Sequence, residues 1–147
     1  MQVSEAGLAH IKAEEGYREV PYKDAGGVLT VGYGHTGKDV REGQNVSPEQ
    51  AEELLRHDCV APADAINKHV HVVLNQHQFD ALVSFVYNVG TADFINSTLL
   101  KTINAGQTNE ISNQFMRWVF VNKKRNKGLV NRRAAECRLY HGGIYMG

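Results

Sequence analysis

The chain has 147 residues, with 16 Lys and Arg against 16 Asp and Glu, so its formal net charge is zero when the histidines are neutral. This length corresponds to one domain, and a chain of this size buries roughly 70% of its unfolded surface. The composition is 42% hydrophobic and 22% charged, which excludes global disorder and collagen-like structure. A neutral total also argues against a protein that coats nucleic acid.

The charge is unevenly distributed along the chain. Residues 1–100 contain 7 basic and 14 acidic side chains, a balance of −7, whereas residues 101–147 contain 9 basic and 2 acidic side chains, a balance of +7. The basic end contains a cluster made up of Lys123, Lys124, Arg125, Lys127, Arg132, Arg133 and Arg138. Two interpretations stay open: a solvated helix face and loop, or a surface that attracts anionic partners.

The cysteines and the N-terminal segment bear on the compartment. Two cysteines, Cys59 and Cys137, do not make a disulfide framework and predict reduced, buried thiols in a cytosolic protein. Residues 1–15 carry charges throughout, which predicts that no signal peptide is present. The longest apolar stretch, residues 82–87, is far too short to span a membrane.

The N-terminal third predicts one helix followed by a small sheet. Ser4 can cap a first helix with Leu8 and Ile11 on its apolar side, and Gly16 is placed to end it. Residues 17–46 are rich in glycine and contain the β-prone run 28–31, which predicts a small antiparallel sheet.

The rest of the chain is predicted to be helical to its end. Ser47 with Gln50, and Asn75 with Gln78, have the spacing of capping boxes. Further helices are predicted from Ser97 to Gly106, from Thr108 onward with Ile111, Phe115, Trp118 and Val119 on one face, and from Leu129 to Tyr140. The predicted fold class is therefore α+β and mainly helical. We expect a single domain over 1–147, with a β-rich lobe at 17–46, a helical lobe at 1–16 and 67–147, and a connecting helix at 47–66.

Two carboxylates flank the predicted turn from helix to sheet. Glu15 and Asp24 could act as a proton donor and a base on opposite sides of a bond, with Thr30 in the strand beyond. Glycoside hydrolysis needs this division of roles, because the leaving oxygen is protonated while a water or a carboxylate attacks the sugar. Acidic residues near helix ends are usually only solvated, so the carboxylates alone do not decide the function.

The spacing in this segment resembles the signature of the phage-type lysozymes, glycoside hydrolase family 24. In that family a Glu is followed nine residues later by an Asp and six residues further by a Thr, which matches Glu15, Asp24 and Thr30. Around them, Gly16, Arg18, Tyr22, Gly27, Gly32, Gly34, His35 and Thr36 also match. Residues 78–90, 94–100 and 128–136 resemble later segments of the family, so the likeness covers nearly the whole chain.

The resemblance implies a lysozyme-like fold and a phage endolysin that hydrolyses the β-1,4 bond between N-acetylmuramic acid and N-acetylglucosamine. It implies that Glu15 is the general acid, that Asp24 stays ionised, and that Thr30 holds the attacking water. We expect inversion, with the two carboxyl groups roughly 6.5–9.5 Å apart. The spacing does not separate this route from retention with Asp24 as nucleophile, or from transglycosylation.

The resemblance also implies roles for neighbouring residues. His35 is expected to be structural, paired with a carboxylate of the helical part, and Arg18 is expected to pair with Glu15 or to line the cleft. Tyr22 and Tyr33 are expected to line the saccharide groove, with packing in the small sheet as the alternative. Gly34 is expected to allow the backbone to approach the sugar closely.

Three other functions are alternatives for this chain. Residues 32–37 satisfy a dinucleotide-binding pattern, but the polar stretch after them has no helical period and the pattern requires a helix there. A zinc amidase is disfavoured because His69 with His71, and His57 with Cys59, have no matching second pair. A non-catalytic wall-binding module is the third alternative. No cofactor and no metal are expected.

The resemblance implies the partners and the place of action. The expected partner is bacterial peptidoglycan, with no nucleic acid, and the protein is expected to act as a monomer. It should lie in the host cytoplasm before lysis and reach the periplasmic peptidoglycan once a holin permeabilises the membrane. Anionic outer-membrane components are further candidate partners for Lys123, Lys124, Arg125 and Lys127.

Overall fold

Eight helices and two β-hairpins make up residues 1–146, the part of the chain that the computed structural model describes. The helices are α1 (Glu5–Glu15), α2 (Pro48–Asp58), α3 (Val60–His69), α4 (Gln76–Val89), α5 (Thr91–Ile95), α6 (Thr98–Asn104), α7 (Thr108–Phe115) and α8 (Lys127–Gly142). The hairpins pair β1 (Arg18–Lys23) with β2 (Leu29–Gly32) and β3 (Phe120–Val121) with β4 (Lys124–Arg125), both antiparallel. The prediction of a mainly helical α+β fold is confirmed.

Side-chain caps start the helices at the predicted residues. The Ser4 side chain accepts a hydrogen bond from the Gly7 amide, and Ser47 and Asn75 each form a complete capping box. These contacts satisfy amide groups that have no partner inside the helix. The three predicted helix starts are therefore confirmed.

The main core surrounds α4, which packs against α1, α3, α5 and α8. Phe79, Leu82 and Phe85 of this helix are fully buried. The Phe85 ring meets the edges of Phe115 and Trp118 at centroid distances of 5.4 and 5.7 Å. Helix α4 is therefore the rigid element on which one wall of the site is built.

Helix α2 joins the main core to a smaller one beneath the first hairpin. Ala51 packs with Val31, Val40 and Val46 in the small core, whereas Leu55 lies in the main core. Where one connecting helix over 47–66 was predicted, the structure has two helices, α2 and α3, that meet at Cys59. Burial of the Cys59 thiol raises its pKa to about 12, so it stays protonated.

The second hairpin departs from the sequence prediction. Residues 47–146 are not helical throughout, because β3 and β4 follow α7, and Trp118 and Val119 lie beyond the end of α7. Asn122 and Lys123 have φ of 49° and 66°, the left-handed geometry of a two-residue hairpin turn. The β-prone run 119–121 before an asparagine was the available signal.

Residues 1–146 contain neither a membrane-spanning helix nor a cluster of metal-ligating side chains. No helix in this range combines the length and the hydropathy needed to cross a bilayer. No group of three or more His, Cys, Asp or Glu side chains in the same range is arranged to hold a metal ion.

Candidate active site

A polar cavity of about 260 Å³ lies where the end of α1, the first hairpin and α4 meet. Its lining consists of Glu15, Tyr22, Asp24, Thr30, Gly34, Thr36, Tyr87 and Asn88. Six of the residues named from the sequence, Glu15, Tyr22, Asp24, Thr30, Gly34 and Thr36, therefore share one cavity. A second cavity of about 230 Å³ shares Gly34, Thr36 and Tyr87 with it and continues toward α3 and α5. The two cavities are therefore adjacent and share one part of their wall.

Glu15 is the last residue of α1, and an arginine from the far end of the chain holds its carboxylate. Glu15 Oε2 accepts a hydrogen bond from Arg132 Nη1 at 2.6 Å. Arg132 is almost fully buried in α8. Arg18 does not take this place: its guanidinium lies 4.4 Å from the centre of the Tyr22 ring, on the exposed hairpin. The structure therefore does not pair Arg18 with Glu15, which was one of the two alternatives for this residue.

Asp24 is oriented by the turn between β1 and β2. Its Oδ1 accepts hydrogen bonds from the Gly26 and Val28 amides, each at 2.9 Å, and Gly27 has a left-handed φ of 79° that closes the turn. An aspartate that binds amides two and four residues later fixes its own carboxylate as part of the turn. The carboxylate therefore has a defined orientation even though the residue is exposed.

Thr30 is buried in β2, opposite Tyr22 in the hairpin. Its hydroxyl donates to the Val28 carbonyl oxygen at 2.9 Å. A hydroxyl has one proton to donate and two lone pairs that accept. Thr30 Oγ1 can therefore accept a hydrogen bond from a water in the cavity while it donates its own proton to Val28.

His35 ties the end of the first hairpin to α2. Its Nδ1 lies 2.6 Å from Asp58 Oδ2, and its Nε2 lies 2.9 Å from Asp39 Oδ2. Burial lowers the pKa of His35, but the hydrogen bonds to the two carboxylates outweigh burial, so the pKa is raised. Asp58 is the kind of partner in the helical part that the resemblance implies for His35.

Tyr33 and Tyr87 connect the two lobes beside the cavity. The Tyr87 hydroxyl donates to the Tyr33 carbonyl oxygen at 2.6 Å, and burial raises the pKa of Tyr87. The Tyr33 ring lies 5.7 Å from the Tyr17 ring and packs against both cores. Tyr33 is thus not among the residues that line the described cavity, and its ring has the packing role that was the alternative.

The sequence did not single out Arg132 as a site residue. By its position in the sequence, Arg132 belongs with Arg133 to the basic cluster. For these two residues the prediction of a solvated face is wrong, because both are buried. The other interpretation, a surface for anionic partners, also fails for them. Lys123, Lys124, Arg125 and Lys127 are exposed. A usable signal was the spacing of Arg132 and Glu136, four residues apart on one helix face.

Comparison with known proteins places the chain in a family. The phage lysozyme family model matches residues 12–136. The chain is 38% identical to the endolysin of Salmonella phage P22, over 95% of this chain and 98% of that protein. It is 45% identical to the endolysin of Bacillus phage PZA, over 97% of this chain but 56% of that protein. The chain therefore spans little more than half the length of the PZA endolysin, and 55% of that of phage B103.

Solved structures agree with the sequence relatives. The endolysin from Escherichia coli O157:H7 phage FAHEc1 superposes with a TM-score of 0.92 at 36% identity, covering 100% of this chain and 98% of that one. The muramidase domain of SpmX from Asticaccaulis excentricus superposes with a TM-score of 0.88 at 38% identity, covering 95% and 97%. On this evidence the chain belongs to the phage lysozyme family.

Proposed function

We propose that this protein is a phage endolysin that hydrolyses the β-1,4 bond between N-acetylmuramic acid and N-acetylglucosamine in bacterial peptidoglycan. The observation that carries the proposal is the shared polar cavity, in which Glu15, Asp24 and Thr30 line the space between two lobes. The family and the names of the endolysin relatives support a peptidoglycan substrate.

In the proposed reaction Glu15 is the general acid. It transfers its proton to the glycosidic oxygen as the bond to the sugar carbon breaks, and the resulting positive charge at that carbon is stabilised by the Asp24 carboxylate. The Arg132 guanidinium orients the Glu15 carboxyl group through the bond to Oε2. Tyr22 and Gly34 line the same cavity and are proposed to contact the saccharide.

Asp24 and Thr30 together suit an attacking water. Because the Thr30 proton is donated to Val28, a water can donate one O–H to Thr30 Oγ1 and the other to Asp24, which leaves its lone pair to attack the sugar carbon. Attack by water on the face opposite the leaving group inverts the configuration. The water passes a proton to the Asp24 carboxylate as its oxygen bonds to the sugar carbon, and proton exchange with solvent then returns Asp24 to its ionised form and Glu15 to its protonated form. The proposed outcome is therefore an inverted anomer and one water consumed per bond broken.

The test is product analysis on purified peptidoglycan, with Glu15→Gln as the comparison. We expect a reducing N-acetylmuramic acid end of inverted configuration, and a loss of about a hundred- to ten-thousandfold in rate for Glu15→Gln. An anhydro product would show transglycosylation instead, and a retained anomer would show a covalent intermediate on Asp24. A wall-binding module would keep its effect in Glu15→Gln, and a zinc amidase would release peptides and lose activity with a chelator.

The second hairpin supports a proposal about the outer membrane. One short segment exposes Lys123, Lys124, Arg125 and Lys127 next to Phe120, a residue that is itself 57% exposed. Cations beside an exposed aromatic ring suit the phosphate groups and acyl boundary of an anionic membrane. We propose that this segment contacts anionic outer-membrane components. Replacing the four cations by Glu should reduce lysis of cells with an intact outer membrane and leave hydrolysis of purified peptidoglycan unchanged; unchanged lysis would contradict the proposal.

The proposed place of action follows from the substrate. The protein is proposed to act as a monomer, to lie in the host cytoplasm before lysis, and to reach the periplasmic peptidoglycan after a holin permeabilises the membrane. Expression in a host with and without a co-expressed holin tests this order. Lysis of equal speed in both cultures would contradict holin dependence.

A further inference from the structure

A buried chain of charges lies directly behind Glu15. Arg132 donates from Nη1 to Glu15 and from Nη2 to the Ser84 carbonyl oxygen at 3.3 Å. On its other side, Arg132 Nε lies 3.6 Å from Glu136 Oε2. The guanidinium that contacts Glu15 is therefore also within ion-pair distance of a second carboxylate, without a hydrogen bond between Arg132 Nε and Glu136.

Glu136 is fully buried in α8 and is surrounded by hydrogen-bond donors. Its Oε1 lies 2.6 Å from Arg133 Nε, and its Oε2 accepts from Ser84 Oγ at 2.7 Å and from Arg133 Nη2 at 3.2 Å. Burial raises the pKa of Glu136, while the two guanidiniums and the Ser84 hydroxyl act in the opposite direction. Oε2 accepts both hydrogen bonds and Oε1 lies at ion-pair distance from Arg133 Nε without a hydrogen bond, and the ionised carboxylate is the form that fits these positively charged and donor neighbours.

Arg133 links Glu136 back to the cavity. Its Nη2 donates to Asn88 Oδ1 at 2.8 Å, and its guanidinium lies 5.0 Å from the centre of the Phe85 ring. Asn88 lines the same cavity as Glu15. Arg132, Glu136 and Arg133 thus form one buried charge network on α8 that contacts Ser84 and Asn88 of α4.

We propose that Glu136 is a positioning residue for the chemistry at Glu15, because it orients Arg132 and balances its charge. This inference rests on the proposed role of Glu15 as proton donor. A guanidinium with no other counter-ion favours the ionised form of the carboxylate that it touches. Glu136 shares the Arg132 charge, so that Arg132 can hold Glu15 in place without preventing its protonation.

The sign of the effect on pH dependence follows from the role of Glu15. A general acid must be protonated, so the rate falls on the alkaline limb where the acid loses its proton. When the charge of Glu136 is removed, one of the carboxylates that balance Arg132 is lost and Glu15 and Glu14 remain, so Arg132 favours the ionised form of Glu15 more strongly and the alkaline limb moves to lower pH. When the charge of Arg133 is removed, the site becomes less positive, and the limb moves to higher pH.

Other titratable groups lie near this network: His10 and Glu14 in α1, Tyr87 in α4, and Arg138 in α8. Burial lowers the pKa of His10 to about 4 and raises the pKa of Tyr87, so both stay neutral over the near-neutral range. Burial also raises the pKa of Glu14, and this residue is the same in every variant compared below.

The experiment measures the rate on purified peptidoglycan against pH for the full chain and four variants. We expect the alkaline limb of Glu136→Gln to move down by about half to one pH unit, because the lost charge is screened inside the protein. Arg133→Met should move the limb up, and the double variant, which loses one charge of each sign, should return close to the unmodified protein. Glu110→Gln, which removes one exposed carboxylate on α7, should leave the limb in place.

A purely structural role for Glu136 predicts lower activity at every pH with an unmoved limb, and that result overturns the proposal. It is also overturned if the double variant keeps the limb of Glu136→Gln. If Glu136→Gln does not fold, Arg133→Met decides: a limb moved up supports the proposal, and a limb unmoved or moved down overturns it. Should Glu15→Gln remain active, the proposed function itself has failed. An inactive Glu15→Gln with coinciding limbs overturns only the role of Glu136.

Discussion

Gly34 lies directly against the carboxyl group of Glu15. A Cβ atom on Gly34 would lie 2.5 Å from Glu15 Oε1 and 3.0 Å from its Cδ, and the residue has a left-handed φ of 84°. No Cβ atom tolerates such a distance, so any side chain at this position displaces the carboxyl group. Gly34 therefore leaves room for the proposed general acid, a role that differs from the expected approach to the sugar.

Gly34→Ala is expected to reduce the rate of peptidoglycan hydrolysis by about ten- to a hundredfold, because the carboxyl group shifts from its position. The variant should also lose about 1 kcal/mol of unfolding free energy, owing to the positive φ. Gly43→Ala is the matched control: its φ is 80°, and nothing lies within 4 Å of its added Cβ. If both variants lose the same fraction of activity, the contact with Glu15 is not what matters.

Thr30 is expected to contribute through its hydroxyl oxygen. Thr30→Val removes the acceptor for the proposed water and should reduce the rate by about ten- to a hundredfold, whereas Thr30→Ser should keep most of it. Thr102→Val is the control, because Thr102 is as buried as Thr30, with 4% exposed in each, and lies in α6 outside the cavity. Equal activity of Thr30→Val and Thr30→Ser, measured as the initial rate, would contradict the role of the hydroxyl.

The local rules of the chain made most of the fold predictable. Ser4, Ser47 and Asn75 cap their helices through contacts with residues three positions away, and such contacts depend on short-range sequence alone. The second hairpin was missed because its turn residues, Asn122 and Lys123, include no glycine. A turn of this kind gives a weaker signal than Asn-Gly.

The candidate site was only partly predictable because its supports come from distant segments. Glu15, Asp24 and Thr30 lie within sixteen residues of one another, so their spacing, together with the family resemblance that it carries, was visible in one local segment. Arg132 contacts Glu15 across 117 positions, and no local pattern encodes that contact. The sequence also does not distinguish a buried arginine from a surface arginine until the carboxylates that pair with it are located.

Tyr87 is expected to stabilise the junction between the lobes. Tyr87→Phe removes the donor to the Tyr33 carbonyl oxygen and should lower the free energy of unfolding by about 1–2 kcal/mol, measured by urea denaturation. Tyr140→Phe is the control, because Tyr140 is buried and its hydroxyl makes no hydrogen bond within residues 1–146. The role of the hydroxyl is contradicted if both variants shift the urea midpoint equally.

His35 is expected to make stability depend on pH in one direction. Its pKa is raised in the folded protein, so the protonated imidazolium is more stable beside Asp58 and Asp39 than it is in water. The stabilisation is fully present below the unfolded value of about 6.5 and is lost as the pH rises through the raised folded value. His35→Asn should therefore cost about 2 kcal/mol of unfolding free energy at pH 5.5 and distinctly less at pH 9.

The His35–Asp58 pair can be isolated with a double-mutant cycle measured at both pH values. His35→Asn and Asp58→Asn each remove one partner of the 2.6 Å contact, so the coupling between them should be large at pH 5.5 and should shrink at pH 9. His57→Asn changes an exposed histidine of α2 that is not part of this pair; it is the control and should cost much less unfolding free energy at pH 5.5 than His35→Asn. Only the protonated imidazolium forms an ion pair with Asp58, and its share increases as the pH falls. A coupling energy that is the same at both pH values would therefore contradict the prediction, because it would mean that the contact does not depend on protonation of His35.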